Sequence, residues 1–182
     1  MSVCIASFSG RGEGNCARIA REVKRWFADG EATLFDLSEH PLHPCGACHG
    51  ECLDDRRRCP HIGDVEYPLL EAITNSDLAI FVVPNYCDYP GALYFAFNER
   101  SLCYFSGHEE LLARYEQVKK RFIVVSGGDR TRYEEIFCQQ TNGDTPEILM
   151  LSARDYGRNS VAGDLIEEQA AREAIRAFVM GS

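Results

Sequence analysis

The chain has 182 residues, of which 45% are hydrophobic and 26% charged, which is typical of one globular domain with a complete core. The net charge of -9 and the lack of a long basic stripe argue against nucleic acid as a partner, because phosphate contacts supply most of that affinity. No apolar run approaches the length of a membrane span. Residues 1–9 lack the order of a secretory signal, so we expect a cytoplasmic protein without a membrane partner.

Short apolar strands alternate with helices along the chain. Strands are predicted at Val3–Ser7, Ala32–Leu37, Leu78–Val83, Phe122–Ser126 and Ile148–Ser152. Helices are predicted from Asn15 and at Pro68–Asn75, Ala92–Leu102, Glu109–Lys120, Tyr133–Gln140 and Asp164–Met180. This alternation predicts a single α/β domain over residues 1–182, with a parallel sheet, right-handed crossovers and helices on both faces.

Residues 38–63 break the alternation. This stretch has no clear period and carries Pro41, Pro44 and Pro60 together with several glycines. An irregular loop of that length inside a compact domain is usually functional. We therefore treat it as a cysteine-rich insertion with a role of its own.

The loop Ser7–Asn15 between the first strand and the first helix has the chemistry of an anion site. Its glycines let backbone N–H groups turn toward a phosphate, and the helix N-terminus adds partial positive charge. The spacing matches neither the dinucleotide motif nor the Walker motif. A plain glycine-rich turn is the alternative. The predicted phosphate contacts are Ser7, Ser9, Arg11, Gly14, Asn15 and Cys16.

Three segments carry a family resemblance. Residues 9–20 (SGRGEGNCARIA) resemble the first loop of flavodoxin-like NAD(P)H-dependent FMN reductases and iron-sulfur flavoproteins. Residues 84–93 (PNYCDYPGAL) are similar to their second loop, and residues 126–129 (SGGD) to their third. The resemblance implies a flavodoxin-like sheet of five parallel strands in the order 2-1-3-4-5, bound FMN, and a homodimer or larger homo-oligomer. NAD(P)H is then a possible electron donor.

The second and third loops suit the flavin ring, which needs flat apolar cover and backbone donors near its polar edge. For Tyr86 alone, packing in the core is an equal alternative. We name no catalytic acid or base, because the chemistry would be that of the cofactor. The predicted contacts in these loops are Pro84, Asn85, Tyr86, Cys87, Gly127, Gly128 and Asp129.

Four of the nine cysteines lie within fifteen residues, at Cys45, Cys48, Cys52 and Cys59. Four thiolates this close can hold a [4Fe–4S] cluster or a zinc ion, and free or partly oxidised thiols are the third possibility. Iron-sulfur flavoproteins carry a similar run at nearly this place, and theirs binds [4Fe–4S]. The resemblance thus predicts these four residues as ligands of one metal centre.

The leading hypothesis is an iron-sulfur flavoprotein that passes electrons between a [4Fe–4S] cluster and FMN, with a donor or acceptor protein or NAD(P)H as partner. The first alternative is an NAD(P)H-dependent FMN or quinone reductase without a cluster. The second is a zinc-stapled binding or regulatory domain without redox turnover.

Overall fold

The computed structural model describes residues 1–181. Five parallel strands form the sheet: β1 (Val3–Ser7), β2 (Ala32–Asp36), β3 (Leu78–Tyr86), β5 (Lys119–Val125) and β6 (Glu147–Leu151). Their order is β2-β1-β3-β5-β6, which confirms the predicted 2-1-3-4-5 order of parallel strands. A two-residue strand that the sequence did not predict, β4 (Tyr89–Pro90), pairs antiparallel with the end of β3.

Helices cover both faces of the sheet. They are α1 (Asn15–Arg25), α2 (Glu66–Thr74), α3 (Ala92–Phe105), α4 (Glu109–Gln117), α5 (Arg130–Phe137) and α6 (Gln169–Met180). Side chains alternate along each strand. Ile5 and Ile80 therefore pack under α1 and α6, whereas Ala6 and Phe81 pack under the helices of the other face. Within residues 1–181, no helix combines the length and apolarity needed to cross a bilayer.

Several predicted boundaries were wrong by a few residues, and three of them show why. Lys119, predicted as helical, begins β5, because α4 ends at Gln117. The strand predicted to end at Val83 continues to Tyr86, since the turn at Cys87 and Asp88 folds β4 back against it. Asp164 does not start the last helix: a short 3₁₀ turn at Leu165–Glu167 precedes α6.

The insertion over residues 38–63 contains two 3₁₀ turns, Glu51–Leu53 and Arg56–Arg58. A buried arginine of α3, Arg100, holds its ends. The Arg100 guanidinium donates to the backbone carbonyls of His43 and His61 at 3.2 Å each and pairs with the buried carboxylate of Asp64. The insertion is therefore anchored to the domain by hydrogen bonds and an ion pair.

Candidate functional site

The carboxyl ends of the parallel strands meet at one edge of the sheet, where ligands of open α/β folds bind. Three loops follow these ends: the first loop after β1, the β3–β4 hairpin after β3, and the third loop after β5. Together they line one small cavity, to which the first loop contributes Ser9, Arg11, Gly14, Asn15 and Cys16, and the hairpin Pro84, Asn85 and Tyr86. Gly127 and Gly128 line a larger neighbouring cavity of about 570 Å³.

The first loop is held by a hydrogen bond to β3 and by a hydrogen bond within the loop. The Phe8 N–H donates to the Val82 carbonyl at 2.9 Å, and the Arg11 N–H donates to Ser9 Oγ at 3.1 Å. Ser9 is buried, whereas Arg11 is exposed. Because Ser9 Oγ only accepts here, its own hydroxyl hydrogen remains available to an anion.

Ser7 is fully buried at the end of β1 and lines neither cavity, whereas Cys16, at the start of α1, lines the smaller one. The Ser7 hydroxyl has no hydrogen-bond partner among residues 1–181. Burial raises the pKa of the Cys16 thiol far above its usual value, and the Asp36 carboxylate acts in the same direction. Cys16 is therefore a neutral, weak donor.

Asn15 does more than the sequence indicated. Its buried side-chain amide donates to the carbonyls of Asn159 and Ser160 at 3.0 Å each and accepts from the Leu165 N–H at 3.0 Å. These bonds tie the loop after β6 across the first loop. Ser160 and Val161 consequently line the small cavity. Sequence reasoning missed them because their segment has no motif.

The β3–β4 hairpin presents Tyr86 to the cavity. The Tyr86 side chain is half exposed and absent from the core, so the core-packing alternative does not apply to it. Asn85 accepts a hydrogen bond from the Tyr133 hydroxyl at 2.7 Å, which fixes its amide. The hairpin turn has φ values of 53° at Cys87 and 62° at Asp88, an arrangement typical of a tight two-residue turn.

The third loop is tied to its neighbours on both sides. The Ser126 and Gly127 N–H groups donate to the Leu151 carbonyl at 2.7 and 3.0 Å. The Asp129 N–H donates to the Asp88 carboxylate at 2.9 Å. Gly128 has a φ of +128°, and a Cβ there would lie 3.1 Å from the Asn85 side chain. Only glycine permits this close approach.

Three predicted contacts line neither cavity: Ser7, Cys87 and Asp129. Cys87 sits exposed at the hairpin tip. Asp129 caps α5, because its carboxylate accepts from the Thr131 N–H at 2.9 Å. The predicted role of Cys87 and Asp129 in flavin contact therefore has less geometric support than that of Tyr86.

The predicted four-cysteine set is not brought together as such. Cys52, Cys59 and Cys103 of α3 form a small buried cluster, against which Cys48 and Tyr67 pack. Burial raises the pKa of Cys52 to about 12, and the neighbouring Cys103 and Cys48 thiols add to the effect. Cys45 is exposed, and its N–H donates to the Glu99 carboxylate at 2.6 Å.

No three His, Cys, Asp or Glu side chains in the described part of the chain are grouped so that they could hold a metal ion. The fit of a [4Fe–4S] cluster to the predicted ligands is thus poor, since one of the four thiols points to a different environment from the other three. Cys103, which the sequence left unassigned, takes the fourth place beside them.

The doubly wound sheet and the three loops at its carboxyl edge define a flavodoxin-like protein. The family model described as NADPH-dependent FMN reductase matches residues 1–131. The chain belongs to this family and is a flavin-dependent oxidoreductase, with FMN as its cofactor and NAD(P)H as its electron donor.

Solved structures share the fold at low sequence identity. Smu.1420 from Streptococcus mutans UA159 is 11% identical and superposes with a TM-score of 0.65 over 99% of this chain and 97% of that one. The flavoenzyme NAD(P)H:(acceptor) oxidoreductase FerB from Paracoccus denitrificans is 14% identical, with a TM-score of 0.55 over 98% and 95%. No curated protein sequence matches the chain significantly.

Proposed function

We propose that this protein holds FMN at the cavity lined by its three carboxyl-edge loops and passes electrons from NAD(P)H to an acceptor such as a flavin or a quinone, without an iron–sulfur cluster. The observation that carries the proposal is the convergence of Ser9, Tyr86 and Ser126, from three separate loops, on one cavity. Membership in the FMN reductase family supports it independently.

The residues of the first loop would bind the phosphate. Backbone N–H groups at the start of α1 carry partial positive charge. The Ser9 hydroxyl has a free hydrogen at the cavity. Arg11 supplies a formal charge at the exposed rim. Together these groups favour a phosphate over a neutral ligand.

The hairpin and the third loop would orient the ring. Tyr86 offers a half-exposed aromatic face, and Gly127 and Gly128 allow close approach of backbone. FMN supplies the electron-transfer chemistry when bound, so the part of the protein is to position and shield it.

The test is FMN binding by the purified protein, followed by steady-state oxidation of NADPH and NADH. We expect Ser9→Val to weaken FMN binding at least tenfold, because it removes a donor and adds a methyl group at a buried position. Ser101→Val on α3, whose hydroxyl donates only to the Asn98 carbonyl, is the matched control. Unchanged FMN affinity in a folded Ser9→Val variant would show that the phosphate does not bind at Ser9. Absence of FMN binding by the parent protein would refute the function.

The iron–sulfur flavoprotein hypothesis ranks second. The density of cysteines in the insertion supports this hypothesis, but the position of Cys45, apart from the other cysteines, counts against it. Iron and sulfide analysis of an anaerobic preparation, with its visible spectrum, separates the hypotheses. We expect flavin bands alone. Stoichiometric iron and sulfide would reverse the ranking, and zinc without flavin would favour the binding or regulatory domain.

The oligomeric state is a separate prediction. A homodimer or larger homo-oligomer is what the family resemblance implies, and light scattering of the FMN-bound protein checks it.

A further inference from the structure

Residues 158–164, which we call the strap, lie across the first loop at the carboxyl edge of the sheet. Three hydrogen bonds of the Asn15 side chain hold the strap and its continuation: two to the carbonyls of Asn159 and Ser160, and one from the Leu165 N–H. The Ser126 hydroxyl also donates to the Ser160 carbonyl, at 3.4 Å. The strap is therefore fastened to two of the three loops of the proposed flavin site.

The far end of the strap is packed against the first loop without a gap. Gly163 is buried with a φ of +81°, and a Cβ built there would lie 2.1 Å from the Glu13 carbonyl oxygen. No side chain can occupy that space unless one of the two backbone segments moves. By contrast, Asn159, Val161 and Ala162 in the middle of the strap are exposed. The strap is held by the bonds of Asn15 and Ser126, by its contact at Gly163, and at its start by ion pairs of Arg158 with Asp164 and Glu168.

The space at the first loop is smaller than FMN needs, and the strap forms part of its wall. The cavity that Ser160 and Val161 help to line has a volume of about 30 Å³, whereas cofactor sites typically enclose at least about 300 Å³. Ser126 and Ser160 also line the neighbouring cavity of about 570 Å³, so they stand between the two spaces. Displacement of the strap would join them.

We propose that the strap gates access of FMN to the first loop and that Asn15 is its clasp. With the strap in place, both hydrogens of the Asn15 amide are committed to strap carbonyls, so Asn15 has none to donate to a phosphate. Opening frees them, and a phosphate can replace the two neutral acceptors with charged ones, which make stronger hydrogen bonds. Asn15 is then a positioning residue that serves the strap and the phosphate in turn.

This inference rests on the proposed function, and Gly163→Ala tests it without touching Asn15. The added methyl group must separate the strap from the backbone of Glu13, because the two segments cannot keep their present contact. The matched control is Gly157→Ala: Gly157 also has a positive φ, of +66°, but a Cβ there meets no atom within 4 Å. Two readouts are needed, namely deuterium uptake of residues 158–165 in the FMN-free protein and the rate of FMN association, followed by quenching of its fluorescence.

We expect Gly163→Ala to raise deuterium uptake and to speed FMN association at least fivefold, with less than a twofold change in Gly157→Ala. Asn15→Ala is the second variant, in case Gly163→Ala fails to fold. It should also speed association, but with a faster FMN release because the phosphate loses the Asn15 donor. Faster exchange with an unchanged association rate would overturn the gate while leaving the proposed function intact. A parent protein and variants that all fail to bind FMN would overturn both.

Discussion

The carboxyl edge of the sheet, where we propose that flavin binds (the flavin edge), and the cysteine insertion over residues 38–63 are both irregular in backbone, but their polar groups are used in opposite ways. At the flavin edge, short ties such as Arg11 N–H to Ser9 Oγ shape the loops and leave other donors unused. At the insertion, the Arg100 guanidinium of α3 pairs with Asp64 and donates to the carbonyls of His43 and His61. The first region leaves hydrogen-bond donors free for a ligand, whereas in the insertion the polar groups named here are paired with one another.

That difference separates a binding loop from a structural one. Buried polar groups are normally paired, so the hydroxyl hydrogen that the buried Ser9 leaves unused at the cavity favours a partner from outside. A loop whose buried charges are already paired has no such need. Arg100 and the packed thiols of Cys52, Cys59 and Cys103 thus explain how the insertion is held, whereas the flavin edge leaves a donor free for the ligand that we propose.

The largest expected effect is loss of the arginine anchor. Arg100→Met would leave the buried Asp64 carboxylate without its cation, which typically costs about 3–5 kcal/mol. The hydrogen bond from Arg100 and the backbone N–H groups of His43 and Glu66 hold the pKa of Asp64 below its usual value, against the effect of burial. Urea unfolding measures the loss, and deuterium uptake should rise across residues 41–64.

The double variant Asp64→Leu with Arg100→Met is the companion experiment. It removes both charges, so it should be less destabilising than Arg100→Met alone. Arg57→Met, at an exposed pair with Asp55, should change nothing measurable. Equal stability of Arg100→Met and Arg57→Met would show that the insertion is held by something else.

A second effect concerns Glu66 at the start of α2. Both its carboxylate oxygens are buried and lack a partner within residues 1–181, and burial raises its pKa to about 9. Because the pKa is higher in the folded state, the contribution of Glu66 to stability is complete below about pH 4.5 and declines until about pH 9.

Glu66→Gln removes this dependence. The difference in unfolding free energy between the variant and the parent should therefore shift in favour of the variant by about 1.4 kcal/mol per pH unit from pH 5 to pH 8. The slope is diagnostic, because any constant cost of the buried amide cancels from it. A difference that is flat with pH would mean that Glu66 is ionised in the folded protein.

The sequence predicted the parts of the structure that local patterns control. Apolar runs such as Leu78–Val83 located the strands, and the glycine-rich stretch after Ser7 located the first loop. Local sequence patterns did not predict the tertiary contacts. Nothing in the pattern around Asn159 links it to Asn15, 144 positions away, and Cys103 lies in a helix with no motif. The dense run of cysteines suggested Cys45 as a partner, but spacing along a loop does not fix which side chains turn inward.

A smaller effect separates the predicted metal set from the packed thiols. Cys103→Ala should destabilise the protein by about 1–2 kcal/mol, since the Cys103 sulfur lies 3.2 Å from the Tyr67 hydroxyl and is buried with Cys52 and Cys59. Cys45→Ala, at an exposed thiol, should leave stability and metal content unchanged. Loss of bound iron or zinc in Cys45→Ala would restore the set Cys45, Cys48, Cys52 and Cys59 as ligands.

The smallest effect on stability is expected at the hairpin, where the effect on flavin should be clear. Tyr86 is 51% exposed and lines the cavity, so Tyr86→Ala should change the unfolding free energy by no more than about 0.5 kcal/mol. It should alter the fluorescence or reduction potential of bound FMN, because the ring loses aromatic cover. Tyr89→Ala is the control, because Tyr89 is the strand partner of Tyr86 and is similarly exposed. Unlike Tyr86, Tyr89 accepts a hydrogen bond from Arg132 at 2.8 Å, and its ring lies beneath the Arg132 guanidinium. If Tyr89→Ala shifts the flavin signal and Tyr86→Ala does not, the ring lies on the other side of the hairpin.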